Sequence, residues 1–119
     1  MREEINYPTD IYCKLENMTI GDSFPLIKLE ITVSKERTDF IEPLCKTIRL
    51  LREKDVRVTV NDFKCKLFGL LIDCNITATG QLMITIGVSK KKSRIIMPIA
   101  VRLKEFIGSN ICLTVTKLR

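Results

Sequence analysis

Gln81-Leu82-Met83-Ile84-Thr85-Ile86-Gly87-Val88-Ser89-Lys90-Lys91-Lys92-Ser93-Arg94-Ile95-Ile96-Met97 is the stretch on which the fold turns. Leu82, Ile84, Ile86 and Val88 alternate with Met83, Thr85, Gly87 and Ser89, the period of a strand with one buried face. Three lysines interrupt the alternation, and Arg94-Ile95-Ile96-Met97 resumes an apolar pattern. The expected structure is a β-hairpin with a cationic tip, ended by Pro98, which has no N–H to give to a ladder.

Upstream of that stretch, Ile27, Leu29, Ile31 and Val33 alternate with Lys28, Glu30 and Thr32, which predicts a half-buried strand over Leu26–Val33. The period then changes. Ile41, Leu44, Ile48 and Leu51 recur every three or four residues, with Lys46, Arg49, Arg52 and Glu53 on other faces, so 39–54 reads as an amphipathic helix. Asp39 and Glu42 resemble a capping box, and Pro43 suits the first turn. Val56, Val58 and Val60 mark another strand. The apolar run Leu67-Phe68-Gly69-Leu70-Leu71-Ile72 breaks alternation at Gly69, which fits either a bulge or a central strand covered on both faces. Ala78-Thr79-Gly80 turns the chain into the opening strand, and Ile111, Leu113 and Val115 form a last one. Residues 1–24 are rich in turn formers, with room for a short strand at 11–15; 101–106 suits a short helix ended by Gly108. No internal repeat, low-complexity segment or linker is evident. The expected fold class is therefore α+β: a mainly antiparallel sheet of about five to seven strands with one principal amphipathic helix, in a single domain over residues 1–119.

Composition narrows the function. The chain has no histidine, so Ser-His and Cys-His nucleophile pairs and histidine-containing zinc sites are excluded. Cys13, Cys45, Cys65, Cys74 and Cys112 are scattered, with no Cys-x-x-Cys spacing, and read as reduced thiols in core positions. Aspartates occur singly at turns and element ends, where they serve as caps. There is no glycine-rich phosphate loop. These patterns predict a protein that is not an enzyme and takes no cofactor. Without a long apolar run or an apolar N-terminal segment, the expectation is a cytoplasmic protein with no membrane contact.

Charge is unevenly placed. Of the net +6, residues 89–119 carry Lys90, Lys91, Lys92, Arg94, Arg102, Lys104, Lys117 and Arg119 against Glu105 alone, a balance of +7; residues 1–88 balance at −1. Those eight cations are the candidate nucleic-acid-binding residues, and the expected ligand is the phosphate backbone of duplex DNA or structured RNA. A single-strand reader needs exposed aromatic platforms, and two tyrosines and five phenylalanines supply few. The alternative is a protein-interaction module, such as an assembly subunit or an inhibitor encoded by a virus or mobile element, with self-association through edge strands. Ser93 to Pro98, Val101-Arg102, Ile107-Gly108 and Ile111 to Val115 resemble half of an AbrB-type swapped-hairpin DNA-binding domain: a strand ending in proline, a short basic helical turn, a glycine and another strand. The likeness covers a small part of the chain, and Ile99 stands where that family has a basic residue.

Overall fold

A computed structural model of the chain describes residues 9–20, 26–33, 41–61, 65–88 and 96–118. In chain order the elements are β1 (Thr9–Ile20), β2 (Leu26–Val33), α1 (Ile41–Arg49), β3 (Asp55–Val60), β4 (Cys65–Ile76), β5 (Leu82–Gly87), α2 (Ile96–Lys104) and β6 (Asn110–Lys117). The six strands close into an antiparallel barrel in the order β1-β2-β5-β4-β3-β6. This corrects the expected sheet with one principal helix. The sheet is closed, and the two helices among the described residues are short and of equal length, nine residues each.

Closure depends on the two long strands. The first half of β1 pairs with β6, from Thr9 opposite Val115 to Lys14 opposite Asn110, and the second half pairs with β2, from Cys13 opposite Val33 to Ile20 opposite Ile27. β4 behaves alike, with Cys65 to Leu70 against β3 and Leu70 to Ile76 against β5. Each strand carries an irregularity past its change of partner, between Leu15 and Asn17 in β1 and between Leu71 and Asp73 in β4. A bulge adds twist and bends the strand, which carries it from one part of the wall to the next. The same local chemistry holds both bends: Asn17 Oδ1 accepts the Met18 N–H at 2.8 Å, and Asp73 Oδ1 accepts the Cys74 N–H at 2.8 Å. The register runs unbroken through Gly69, and the bulge expected there falls three residues on, at Ile72.

These correspondences extend along the whole chain and overturn the reading that it has no repeat. The β1 and β4 bulges lie 56 residues apart, and α1 and α2 begin 55 residues apart, at Ile41 and Ile96. Pro43 and Pro98 fall at the same place in the first helical turn. Cys45 and Ile48 are buried from α1 where Ala100 and Leu103 are buried from α2. After each helix the chain enters the left-handed region, at Glu53 (φ 67°) and Gly108 (φ 88°). There the Glu53 N–H donates to Leu71 O and the Gly108 N–H to Leu15 O, both at 2.7 Å. The Leu71 and Leu15 N–H groups return bonds to Lys54 O and Ser109 O. The barrel is thus two ββαβ halves related by a pseudo-twofold axis, β1, β2, α1 and β3 matching β4, β5, α2 and β6.

The expected hairpin across residues 81–97 is also corrected. β5 pairs with β2 and β4, while Ile96 and Met97 begin α2. Pro98 sits inside that helix rather than ending a ladder, tolerated because first-turn N–H groups have no intrahelical acceptor. An apolar run of Ile95-Ile96-Met97 does not by itself distinguish strand from helix. Leu26–Val33 forms as expected, with Ile27, Leu29, Ile31 and Val33 buried. The helix read over 39–54 is confined to Ile41–Arg49 among the described residues, followed by turns. The barrel interior is filled by branched aliphatic side chains, with Leu15, Ile27, Leu71, Ile84, Ile86 and Leu113 among the least exposed. Burial of each such side chain contributes roughly 1.5–3 kcal/mol.

Two local constraints give testable consequences. Glu53 holds a left-handed conformation that its counterpart assigns to glycine. Glu53→Gly is expected to raise stability by about 0.5–1 kcal/mol and Gly108→Ala to lower it by roughly 1–2 kcal/mol, read from urea denaturation. At Gly69 a Cβ would lie 2.5 Å from the carbonyl oxygen of Gly87 and 2.6 Å from Ile86 Cγ2, and backbone cannot move aside as a side chain can. Gly69→Ala is expected to destabilise by about 1–3 kcal/mol in the same assay.

Candidate interaction surfaces

Of the basic residues singled out from the sequence, Arg102, Lys104 and Lys117 fall among the described residues. Lys90, Lys91, Lys92, Arg94 and Arg119 lie outside the described residues. Arg102 and Lys104 are exposed in the last turn of α2, where positive charge meets the carbonyl end of the helix dipole. Lys117 lies on β6 opposite Val56, and Arg102 sits near Cys65, which pairs with Val60 at the other end of β3.

The cationic side of α1 has an internal partner. Arg49 Nε and the Arg52 guanidinium lie 3.6 and 3.8 Å from Asp73 Oδ1, the oxygen that also holds the β4 bulge. These side chains are about half exposed, 49% for each arginine and 39% for Asp73, so solvent keeps the ion pairs weak. In the other half Asn17 replaces Asp73, and Lys104 and Ile107 replace Arg49 and Arg52. The pairing is therefore not a requirement of the barrel.

An open groove of about 630 Å³ runs beside β1 and β6, lined among others by Tyr12, Lys14, Thr32, Asn61, Asn110 and Cys112. Asn61, at φ 49°, clamps its wall: its N–H donates to Cys112 O and its Oδ1 accepts the Cys112 N–H, both at 2.9 Å. Lys14 stands on β1 between Asp10, bonded to Thr114 Oγ1 at 2.8 Å, and Glu16, bonded to Thr32 Oγ1 at 2.6 Å.

The cysteines divide by burial. Cys13, Cys45, Cys65 and Cys74 are buried, and Cys112 is half-buried. Burial pushes the Cys13 thiol up to about 12 from its usual 9.0. It also raises Cys74, next to Cys45, whose Sγ donates to Cys74 O at 3.3 Å. Cys65 is raised by burial too, against the opposing charge of Arg102. A thiol held neutral is a poor nucleophile. Among the described residues no group of three or more Cys, Asp or Glu side chains is placed to hold a metal ion, and no helix is long and apolar enough to cross a membrane.

The feature that sequence reading missed lies on the outer face of β4. Within Leu67–Ile72 the inward residues are Leu67 and Leu71, while Phe68, Leu70 and Ile72 point outward and are 38, 37 and 40% exposed. At the matching places on β1 stand Tyr12, Lys14 and Glu16. The signal was present as unbroken hydrophobicity, but a strand buried on both faces gives the same pattern.

The thiol environments predict reactivity. With an aromatic disulfide reagent near pH 8, Cys112 is expected to be modified in the folded protein and the four buried thiols only on unfolding. The raised Cys13 value has a linked effect on stability. Its contribution is complete below the unfolded value near 9 and is lost as pH rises toward about 12, so Cys13→Ala is expected to flatten alkaline destabilisation over that window in denaturation measurements. Compared with known proteins, the chain matches no family model, no curated protein and no solved structure.

Proposed function

We propose that the protein is a small, non-enzymatic nucleic-acid-binding protein that holds the phosphate backbone of duplex DNA or structured RNA through the basic C-terminal quarter of its chain. The observation that carries this reading is the charge asymmetry: +7 over residues 89–119 against −1 for the rest. Charge of one sign gathered in one part of a chain raises the local concentration of a polyanion and speeds its association. The closed barrel supports the reading as a scaffold, because the Lys90 to Arg94 segment joins two anchored elements, β5 in the wall and α2 with Ala100 and Leu103 in the core. Arg102 and Lys104 then add exposed charge on α2 itself. Base-specific reading is not part of the proposal, since no side chain is identified that would address base edges.

A second reading, a protein-interaction module, is favoured by the exposed apolar row on β4. Self-association through strand edges loses its footing, because each strand of the barrel has a partner on both sides over part of its length.

Fluorescence anisotropy with labelled duplex DNA, duplex RNA and single strands tests the first reading. Neutralising roughly four to six phosphates should lose two or more orders of magnitude in affinity between about 50 and 200 mM salt. The triple substitution Lys90→Ala, Lys91→Ala, Lys92→Ala is expected to weaken binding to all sequences alike while leaving the melting temperature nearly unchanged. Binding that is absent at low salt, or that ignores the triple substitution, would sink the reading.

A further inference from the structure

Two sulfurs meet where α1 lies on β4. Cys45, buried in the middle of the helix, donates from Sγ to Cys74 O at 3.3 Å, and a second hydrogen bond joins the two thiols themselves. Cys74 is the residue whose N–H is held by Asp73 Oδ1, so its backbone belongs to the β4 bulge. The barrel itself does not require this pair. Ala100 stands at the counterpart of Cys45 on α2, and Met18 at the counterpart of Cys74 on β1, both buried. In that half the contact is made by a methyl group and a thioether, which form no bond with each other. Two thiols in contact across a helix–strand seam have a chemistry that packing does not use.

The helix that carries Cys45 is also weakly anchored. At nine residues α1 is too short to be stable apart from its packing. Cys45 and Ile48 hold it to the core, with Ile41, Leu44 and Leu51 packed at the margin, and the Arg49 and Arg52 ion pairs to Asp73 are weakened by solvent. Elements held by few buried side chains open below the free energy of global unfolding. While α1 is docked, both sulfurs are shut away from reagents, and burial, reinforced by the Cys45 sulfur, pushes the Cys74 thiol up from its usual 9.0. Local unfolding of α1 bares them together. We infer that Cys45 and Cys74 are a redox-sensitive dithiol, oxidised by a small-molecule disulfide of the glutathione class when α1 lifts, and that the resulting bond ties the helix covalently to the β4 bulge. The exchange has two steps. Cys45, as thiolate, attacks one sulfur of the oxidant, forming a mixed disulfide and expelling one thiolate. Cys74, as thiolate, attacks the Cys45 sulfur, forming the protein disulfide and expelling the second. Two protein thiols are oxidised, one disulfide is reduced to two thiols, and the protons lost by the cysteines end on the expelled thiolates. The oxidised chain then keeps α1 docked under conditions that release it from the reduced one. This device rests on neither reading of the protein's partners.

The test exposes the reduced chain to oxidised glutathione near pH 8, alkylates the remaining thiols at intervals, and maps them and any crosslinked peptides by mass spectrometry without reduction. The expected product is a crosslink between Cys45 and Cys74, formed while Cys13 and Cys65 stay reduced, with Cys112 carrying at most a mixed disulfide. Amide hydrogen exchange across α1 is expected to slow at least roughly tenfold on oxidation. Cys45→Ala, the residue its counterpart already supplies, is expected to abolish both the crosslink and the slowing; should that variant fail to fold, the wild-type crosslink still decides. No crosslink, a crosslink between other cysteines, or α1 exchange that oxidation leaves unchanged would overturn the inference. Loss of Cys13 and Cys65 at the same rate as Cys45 and Cys74 would overturn it too, because global unfolding rather than release of α1 would then have opened the pair.

Discussion

The barrel depends on β1 and β4 changing partners partway along their length. A twelve-residue strand that kept one pair of neighbours throughout would extend a sheet, and the chain would then have edges to cover. Instead, each long strand gives its first half to β6 or β3 and its second half to β2 or β5. The bulge is the device that makes the change of direction possible, and an Asx side chain bonded to the next N–H fixes it at Asn17 and at Asp73. The backbone groups freed where a partner leaves are taken up by the turn after the opposite helix. Leu15 bonds to Gly108 and Ser109, and Leu71 bonds to Glu53 and Lys54. The helices follow from this arrangement, because each must end where its turn can reach the bent strand.

That logic explains which parts of the structure were legible in the sequence. Strands with one neighbour set and one buried face announce themselves by alternation, and 26–33, 56–60, 82–88 and 111–115 were all readable. Strand β1 was only partly so, since Glu16 and Asn17 interrupt its period at the bulge and Asn17 reads as a turn residue. The start of helix α2 was hidden because Ile95-Ile96-Met97 fits either period and Pro98 looks like a terminator, although proline is welcome in a first turn, while its last four residues fall in the short helix read over 101–106. Closure itself was not legible, because partner choice is a long-range property: β2 meets β5, and β6 inserts between β1 and β3, across separations that no local pattern encodes. The repeat was equally obscure. Its halves share burial and backbone geometry rather than residues, with valines in β3 matched by isoleucine, leucine and valine in β6.

The candidate sites divide along similar lines. The charge asymmetry is a property of composition and could be counted directly, but its assembly in space could not. The apolar row on β4 was visible as residues and invisible as a surface. Until the inward positions of Leu67 and Leu71 are known, Phe68, Leu70 and Ile72 read as more core.

Pseudo-symmetry then supplies a comparison that a single sequence otherwise lacks. Two halves under the same backbone constraints keep alike what the barrel needs: the bulges, the helix contacts and the left-handed turns. They differ where the barrel is indifferent, and the differences are not random in character. One outer corner is a polar cluster closed on itself by hydrogen bonds through Glu16, Thr32 and Gln81, while its counterpart is apolar, with Ile72 and Leu26 closing over Gly87. A self-satisfied polar corner has little to gain from a partner, since any contact must first displace its own bonds. An apolar corner gains from every methyl group laid against it.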